Sequence, residues 1–568
     1  MRYLYKTLFL LSLFAFPLLA QTPSRTPTPS PNAPENLIDV PAIAPTFRSD
    51  DRTLPDLGRV GVDTARQRVL NLREAIGLAL ENNRDIEIAR KTADIAEFDL
   101  RAARGFYQPR LTGTTLYERT TLPNVSIFSN NPTTTQNSIV GNAGVTGYIP
   151  QFGTVLRGDF NNTRLTSNNP ISILSPQYNS NLGFTVTQPL FRGRRFDIQR
   201  RTIEIAKKNI ELTDTQFRAM TIEVVARVQR AYWDLTFALR NLQLQRDSVR
   251  DARRQLEHNR RLVEEGQLAP IDIVAAETQV ANFEQAVYEA LNIVNQAENL
   301  LKSAIAPNRK DNLWAEAIMP VESVEQRVPD PTFTEATELA LANRPELEIN
   351  RTQRDINLLD QRVYRDQKKP QIDLIAGYSA NGVGGNQNPN FNPTFPTACT
   401  VDPTSPACRQ QQANLATLTG SPFTDILANR YPTYRVGVNF NIPLFGDKTA
   451  SAQLGRTQAE AERIATQREQ IEQAIEVDVR NAIQTIRVRS AQLRSAAIAR
   501  ENSERQYESE QRKLDEGQSD TFRVLERQTA LAIARSNELR ARTELNKAIA
   551  ELERATGNTL KANDIDIK

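Results

Sequence analysis

The chain has 568 residues, of which 39% are hydrophobic and 24% charged. So little apolar material in so long a chain rules out a large globular core and points to thin layers or long coiled helices. Lys and Arg number 70 against 67 Asp and Glu, a net charge of +3 with the signs interspersed, so no basic tract asks for nucleic acid.

At the N-terminus, Arg2 and Lys6 precede an apolar run from Leu8 to Leu19, the layout of a secretory signal peptide over residues 1–20. A Pro-rich leader follows over 21–64, read as extended chain. No later run reaches the roughly 18 apolar residues of a membrane helix, so any insertion into lipid must use strands.

From Leu72 to Phe106 the pattern predicts a helix containing "EAIGLALENNRDIEIAR". Period-two alternation then marks strands at about 110–118, 138–148, 154–161 and 182–188, separated by loops rich in Asn, Pro, Thr and Gly. After "TQPLF" (187–191) no proline occurs until Pro270. A heptad seam runs through that stretch: Val228, Leu235, Leu242, Val249, Leu256 and Val263, with Ile203, Ile210, Phe217, Val224, Ala231 and Ala238 filling the companion positions. It predicts a helix of roughly 70 residues, about 100 Å long at the usual rise. The stretch "VEEGQLAPIDIV" (263–274) ends it with a glycine and starts a second helix, Ile271 to Ala306, with Pro270.

The same order then recurs. "EATELALANRPELEINR" from Glu335 matches the stretch from Glu74, Pro370 matches Pro109, "NIPLF" (441–445) matches "TQPLF", and Gly517 of "LDEGQSDTFRVL" matches Gly266. In the second copy Val479, Ile486, Leu493, Tyr507 and Leu514 keep the heptad register, and Arg500 breaks it. Strands are predicted at 371–380 and over "YRVGVNFNI", which sets Tyr434, Val436, Val438, Phe440 and Ile442 on one face against Arg435, Gly437, Asn439 and Asn441 on the other. Residues 381–430 read as a solvated loop; it carries the two cysteines, Cys399 and Cys408, read as a local disulfide in an exported protein. Tyr117, Tyr148, Tyr378, Tyr434 and Phe440 are candidates for aromatic girdles at a membrane interface.

This ordered double set resembles the TolC-like outer membrane efflux protein family, from about Leu70 to Gly557. The resemblance implies a mainly α fold with β: internally duplicated long helical hairpins forming a trimeric α-helical barrel, continued by a shared transmembrane β-barrel. It implies two outer membrane efflux repeats, 65–320 and 321–557, followed by a C-terminal tail, 558–568. The implied function is the passive exit duct of a tripartite efflux or type I secretion system in the cell outer membrane. Its implied partners are two further copies of itself, a periplasmic adaptor (membrane fusion) protein, an inner-membrane pump of the resistance-nodulation-division or ABC type, and outer membrane lipid. Adaptor docking carries over to Glu265, Gly266, Gln267 and Leu268, and to Glu516, Gly517, Gln518 and Ser519. Some relatives ring the pore entrance with acidic residues; here Asp272 and Glu526 are the matching acids and Arg523 stands where an aspartate is expected, so an Arg523–Glu526 or intersubunit pair is the expected gate.

Three chains would supply 12 strands if one hairpin is peripheral or 18 if all six join, and the resemblance favours 12. Nothing predicts an enzyme, cofactor or metal: the single histidine, His258, reads as a solvated helix residue, and no nucleophile elbow, zinc motif or phosphate loop occurs. The rival expectation is a periplasmic coiled-coil scaffold or adaptor without membrane strands; the one-sided apolar alternation of residues 434–442 opposes it.

Overall fold

The computed structural model describes residues 57–124, 132–322, 328–391 and 397–566. The predicted signal peptide and all of the leader up to residue 56 lie outside the described residues.

Local chemistry sets the first break. The helix predicted from Leu72 to Phe106 is two helices, α1 (Leu72–Asn82) and α2 (Arg84–Arg104), because Asn83 adopts an extended conformation and its side chain accepts from the Asp85 amide. Asn83 is itself buried, and its Nδ2 donates to the Ala304 carbonyl at 2.9 Å. The strands follow, each longer than the predicted nine or so residues: β2 (Arg110–Pro123), β3 (Thr133–Ile149), β4 (Thr154–Ser167) and β5 (Leu174–Pro189), preceded in the chain by β1 (Asp63–Leu70). Then come α3 (Ile198–Glu264, 67 residues) and α4 (Pro270–Ile305).

A short strand, β6 (Glu316–Pro320), leads to the second half: α5 (Phe333–Asn343), α6 (Pro345–Gln367), β7 (Gln371–Gln387), three short helices α7 (Ala398–Val401), α8 (Pro406–Leu418) and α9 (Pro422–Leu427), β8 (Tyr431–Asn441), α10 (Lys448–Asp515, 68 residues), α11 (Thr521–Ala555) and α12 (Thr559–Ala562). The stretch 381–430 is therefore not simply a loop. Its first residues extend β7, and Cys399 is disulfide-bonded to Cys408, tying α7 to α8.

In both halves a half-length helix meets another end to end alongside a long one. Asn82 and Asn83 reach the last carbonyls of α4, while Arg344, just ahead of α6, reaches the Arg554 carbonyl at the end of α11. The heptad seam of α3 is what the packing buries: Val224, Val228, Ala231 and Leu235 are at most 1% exposed. Each fully buried Val or Leu contributes about 1.5–3 kcal/mol of transfer free energy. In the second half Ile475, Val479, Ala482, Ile483 and Ile486 of α10 cluster with Leu545, Ile549 and Leu552 of α11 and Ala336 and Ala340 of α5.

The six strands β2-β3-β4-β5-β7-β8 form one antiparallel sheet in that order. Directly opposed residues share a face, and one such row runs Gly113, Ala143, Phe160, Leu182, Ala380 and Pro432. That face also carries Leu111, Val145, Leu156, Phe184, Val186, Leu374, Val436, Val438 and Phe440. Arg157, Asp159, Asp373 and Arg435 lie on the other. Tyr117, Tyr378, Tyr434 and Phe440 are on the apolar face, but Tyr148 is not: it lies on the polar face near the helices, its ring 4.8 Å from Phe106. Its place in the girdle is thus withdrawn, since period two sends a residue at an even position of β3 to the opposite side.

The β7–β8 insertion folds back over the apolar face at the end remote from the helices. The Pro422 carbonyl lies so close to Gly382 that a Cβ there would sit 1.9 Å from its oxygen, and Phe423 stacks on Phe160 with centroids 6.0 Å apart. Only glycine admits that approach.

A second sheet, β1 parallel to β6, went unpredicted because "DTARQRVL" is polar and "EAIMP" is short. It packs on the middle of α3, where the fully buried Tyr232 hydroxyl donates to the Leu70 carbonyl and accepts from the Glu322 amide, both at 3.1 Å. Glu298 of α4, wholly buried, accepts from the Ile318 amide of β6 at 2.8 Å and pairs with Arg59 and Lys302.

Candidate functional site

The two interruptions of the long helices are built alike. Gly266 has φ +75°; its amide donates to the Val263 carbonyl at 3.0 Å and the Gln267 amide to the Leu262 carbonyl at 2.8 Å. Gly517 has φ +68°, with Gly517 to Leu514 at 2.9 Å and Gln518 to Lys513 at 2.8 Å. These paired bonds close the last carbonyls of α3 and α10 in Schellman turns, which need a left-handed residue at that position.

A Cβ on either glycine would meet nothing within 4 Å. Glu265, Gly266, Gln267, Glu516, Gly517 and Gln518 are exposed, Leu268 and Ser519 half-buried. With 67 residues of helix behind the first turn, it stands about 100 Å from the sheet.

The neighbouring charges serve their own helix starts. Asp272 Oδ2 accepts from the Ala269 amide at 3.1 Å, and Asp520 Oδ1 accepts from the Arg523 amide at 2.8 Å. The Arg523 guanidinium lies 3.4 Å from Asp520, both side chains more than half exposed. The expected Arg523–Glu526 pair is therefore absent within the chain: Asp520, at the N-cap three residues earlier, holds the arginine, and Glu526 is left exposed on the helix. Ser519 donates to Glu510 of α10 and, with Lys513, holds that carboxyl below its usual range against the opposing effect of burial.

His258 is less solvated than expected, its Nε2 3.1 Å from Asp515 Oδ1. That contact brings the ends of α3 and α10 side by side, so the two turns share one end of the molecule.

One feature of the turns escaped the sequence reading. Five residues past each glycine stands an exposed large apolar side chain, Ile271 at 69% and Phe522 at 73%. Their equal offsets from Gly266 and Gly517 were the available signal. Farther along, the seam break at Arg500 is explained by ion pairs to Glu504 and Glu538, both at 2.7 Å. Arg500 and Glu538 flank a cavity of about 860 Å³ that Arg240, Arg246, Arg535 and Arg542 also line.

The two glycine turns thus lie together at the far ends of the long helices, and the one-sided apolar sheet lies at their other ends. The profile of the family described as "Outer membrane efflux protein" matches residues 75–306 and again 336–558, and the chain belongs to that family. No match is found among curated protein sequences. Among solved structures, CusC is 15% identical with a TM-score of 0.60, over 86% of this chain and 92% of its own. The CmeC outer membrane channel of Campylobacter jejuni is 14% identical with a TM-score of 0.59, over 87% and 90%. The open MtrE outer membrane channel of Neisseria gonorrhoeae is 16% identical with a TM-score of 0.56, over 86% and 89%. At such identities the likeness is one of fold.

Proposed function

We propose that this chain is the passive exit duct of a tripartite efflux or type I secretion system, working as a homotrimer in the cell outer membrane with its helices in the periplasm. Its two repeats are 65–320 and 321–557, followed by a tail at 558–568. A periplasmic adaptor protein docks on Glu265–Leu268 and Glu516–Ser519, and an inner-membrane pump of the resistance-nodulation-division or ABC type drives the substrate. Asp272, Arg523 and Glu526 line the entrance beside the tips.

The observation that carries this reading is the pair of exposed glycine turns, each followed by an exposed apolar residue, at the opposite end from an apolar-faced sheet. A periplasmic scaffold would have no use for that sheet face, and carbonate washing of membranes would release it.

The test is export. Gly266→Trp with Gly517→Trp is expected to reduce export to the level of a strain lacking the chain, while the protein still resists carbonate and runs as a trimer. Because no atom of the chain lies within 4 Å of either Cβ position, the internal cost is only the left-handed backbone, about 1–2 kcal/mol per site. Undiminished export by this variant refutes adaptor docking at the tips.

A further inference from the structure

We infer that all six strands of the large sheet belong to the membrane wall, β2 of one copy pairing with β8 of the next, so that three copies close a ring of 18 strands rather than 12. This rests on the proposed trimeric duct and departs from the strand number that the family resemblance favours.

Four observations carry it. First, the apolar face is continuous over all six strands, edges included: Tyr434, Val436, Val438 and Phe440 of β8 are 55–80% exposed, as are Leu111 and Tyr117 of β2. On this face the charges are Arg119 and Arg164, both toward the end remote from the helices. A hairpin kept out of lipid has no reason to present such a face.

Second, β2 and β8 leave one side of 14 and 11 residues unpaired. In hydrocarbon every backbone donor and acceptor must be satisfied, and a ring of fewer than about eight strands does not close, so the chain cannot satisfy these edges alone. With strand directions alternating across six strands, β8 runs antiparallel to an incoming β2, as an antiparallel wall requires.

Third, the edges of the sheet lie over the edges of the helical layer. Among the helices that join the sheet, packing runs α2 on α3, α3 on α6, and α6 on α10. The edge helix α2 leads within six residues into β2, and β8 leads within seven into the other edge helix, α10. Removing either terminal hairpin from the wall would pull an edge helix's own strand out of line.

Fourth, the widths agree. Four helices at about 10 Å spacing span about 40 Å of circumference; six strands about 4.8 Å apart and tilted about 40° span about 38 Å, and four strands only about 25 Å. The resulting ring is roughly 36 Å across, against roughly 24 Å for 12 strands at the same tilt. The insertion carrying α9 fits this placement. Strands of 14–17 residues exceed the roughly 9–11 needed to cross, so the part of the sheet it covers stands beyond the lipid.

The test is cysteine cross-linking of the full chain in isolated outer membranes, read on non-reducing gels. Leu111→Cys or Thr115→Cys in β2 is combined with Val436→Cys, Val438→Cys or Phe440→Cys in β8. Bonds between copies are expected from at least one such combination, and none when the β8 cysteines are combined with Leu156→Cys in β4, or the β2 cysteines with Val186→Cys in β5. Bonds from β8 to β4, or from β2 to β5, overturn the inference while the trimeric duct stands. A chain that is monomeric and released by carbonate overturns both. Electron cryomicroscopy of the unsubstituted protein in lipid discs counts the wall strands directly; 12 would refute the inference whatever the variants do.

Discussion

At the scale of single residues, the informative side chains are those that end or start helices and those buried with a charge. Asp520 is both the N-cap of α11 and the partner of Arg523. Asp520→Ala is expected to cost about 1 kcal/mol of stability by equilibrium unfolding, mainly through the lost cap, since an exposed ion pair contributes less than that. Glu553 is different. Burial raises its carboxyl above the usual range, more than hydrogen bonding from Gln229 and Asn563 lowers it. A raised folded value means that its contribution to stability is full below the unfolded value and is lost as pH rises through the folded one. At neutral pH the half-buried carboxylate is therefore a cost, and Glu553→Gln is expected to raise the melting temperature at pH 7 but not at pH 4. An equal shift at both pH values would show that the carboxylate carries no such cost. Both tip glycines were legible in the sequence because only glycine suits a left-handed helix end between two heptad runs. The true partner of Arg523 was not, because the choice between Asp520 and Glu526 depends on where the helix begins to within one residue.

Among elements, the joints between half-length helices are the points of interest. In the first half Asn83 closes the joint by donating to Ala304, and in the second Arg344 reaches Arg554 with Pro345 opening the next helix. Asn83→Ala leaves the Ala304 carbonyl without this buried donor, and a loss of about 1–3 kcal/mol is expected in unfolding measurements. Asn83→Asp, which retains the cap on Asp85 but not the donation, separates the two roles. The sequence announced the second joint through its proline and hid the first, since an asparagine inside "ALENNRDIEI" reads equally well as a surface helix residue. Heptads located α3 and α10 nearly to their ends because a periodic signal repeated over about nine heptads averages out single exceptions such as Arg500. Strand lengths fared worse: alternation fades where Thr, Gln, Asn and Ser occupy both faces, as over Thr133–Ser138 of β3. The small parallel pair β1–β6 had no periodic signal at all, being held by Tyr232 and Glu298 from distant helices.

For the whole molecule, fold and family follow from the order of elements, whereas the proposed docking surface depends on residues that only the assembled turns bring together. Ile271 and Phe522 are the clearest case, and Ile271→Ser with Phe522→Ser is expected to weaken adaptor capture several-fold while leaving the melting temperature within a degree or two. Capture at the original strength would remove these side chains from the interface.

The even number of strands in the large sheet limits how the proposed duct would enter a membrane. Both ends of the sheet lead into helices on one side, so none of the helices from α1 to α6, nor α10 or α11, has to pass through lipid. Only the turns after β2, β4 and β7 must be carried across. The first two are short, residues 124–132 and 168–173; the third, residues 388–430, holds α7 to α9 and the Cys399–Cys408 bridge. In the proposed duct the bulkiest part to be carried across is thus this bridged insertion, and oxidation before or after its passage would set the size of the opening required.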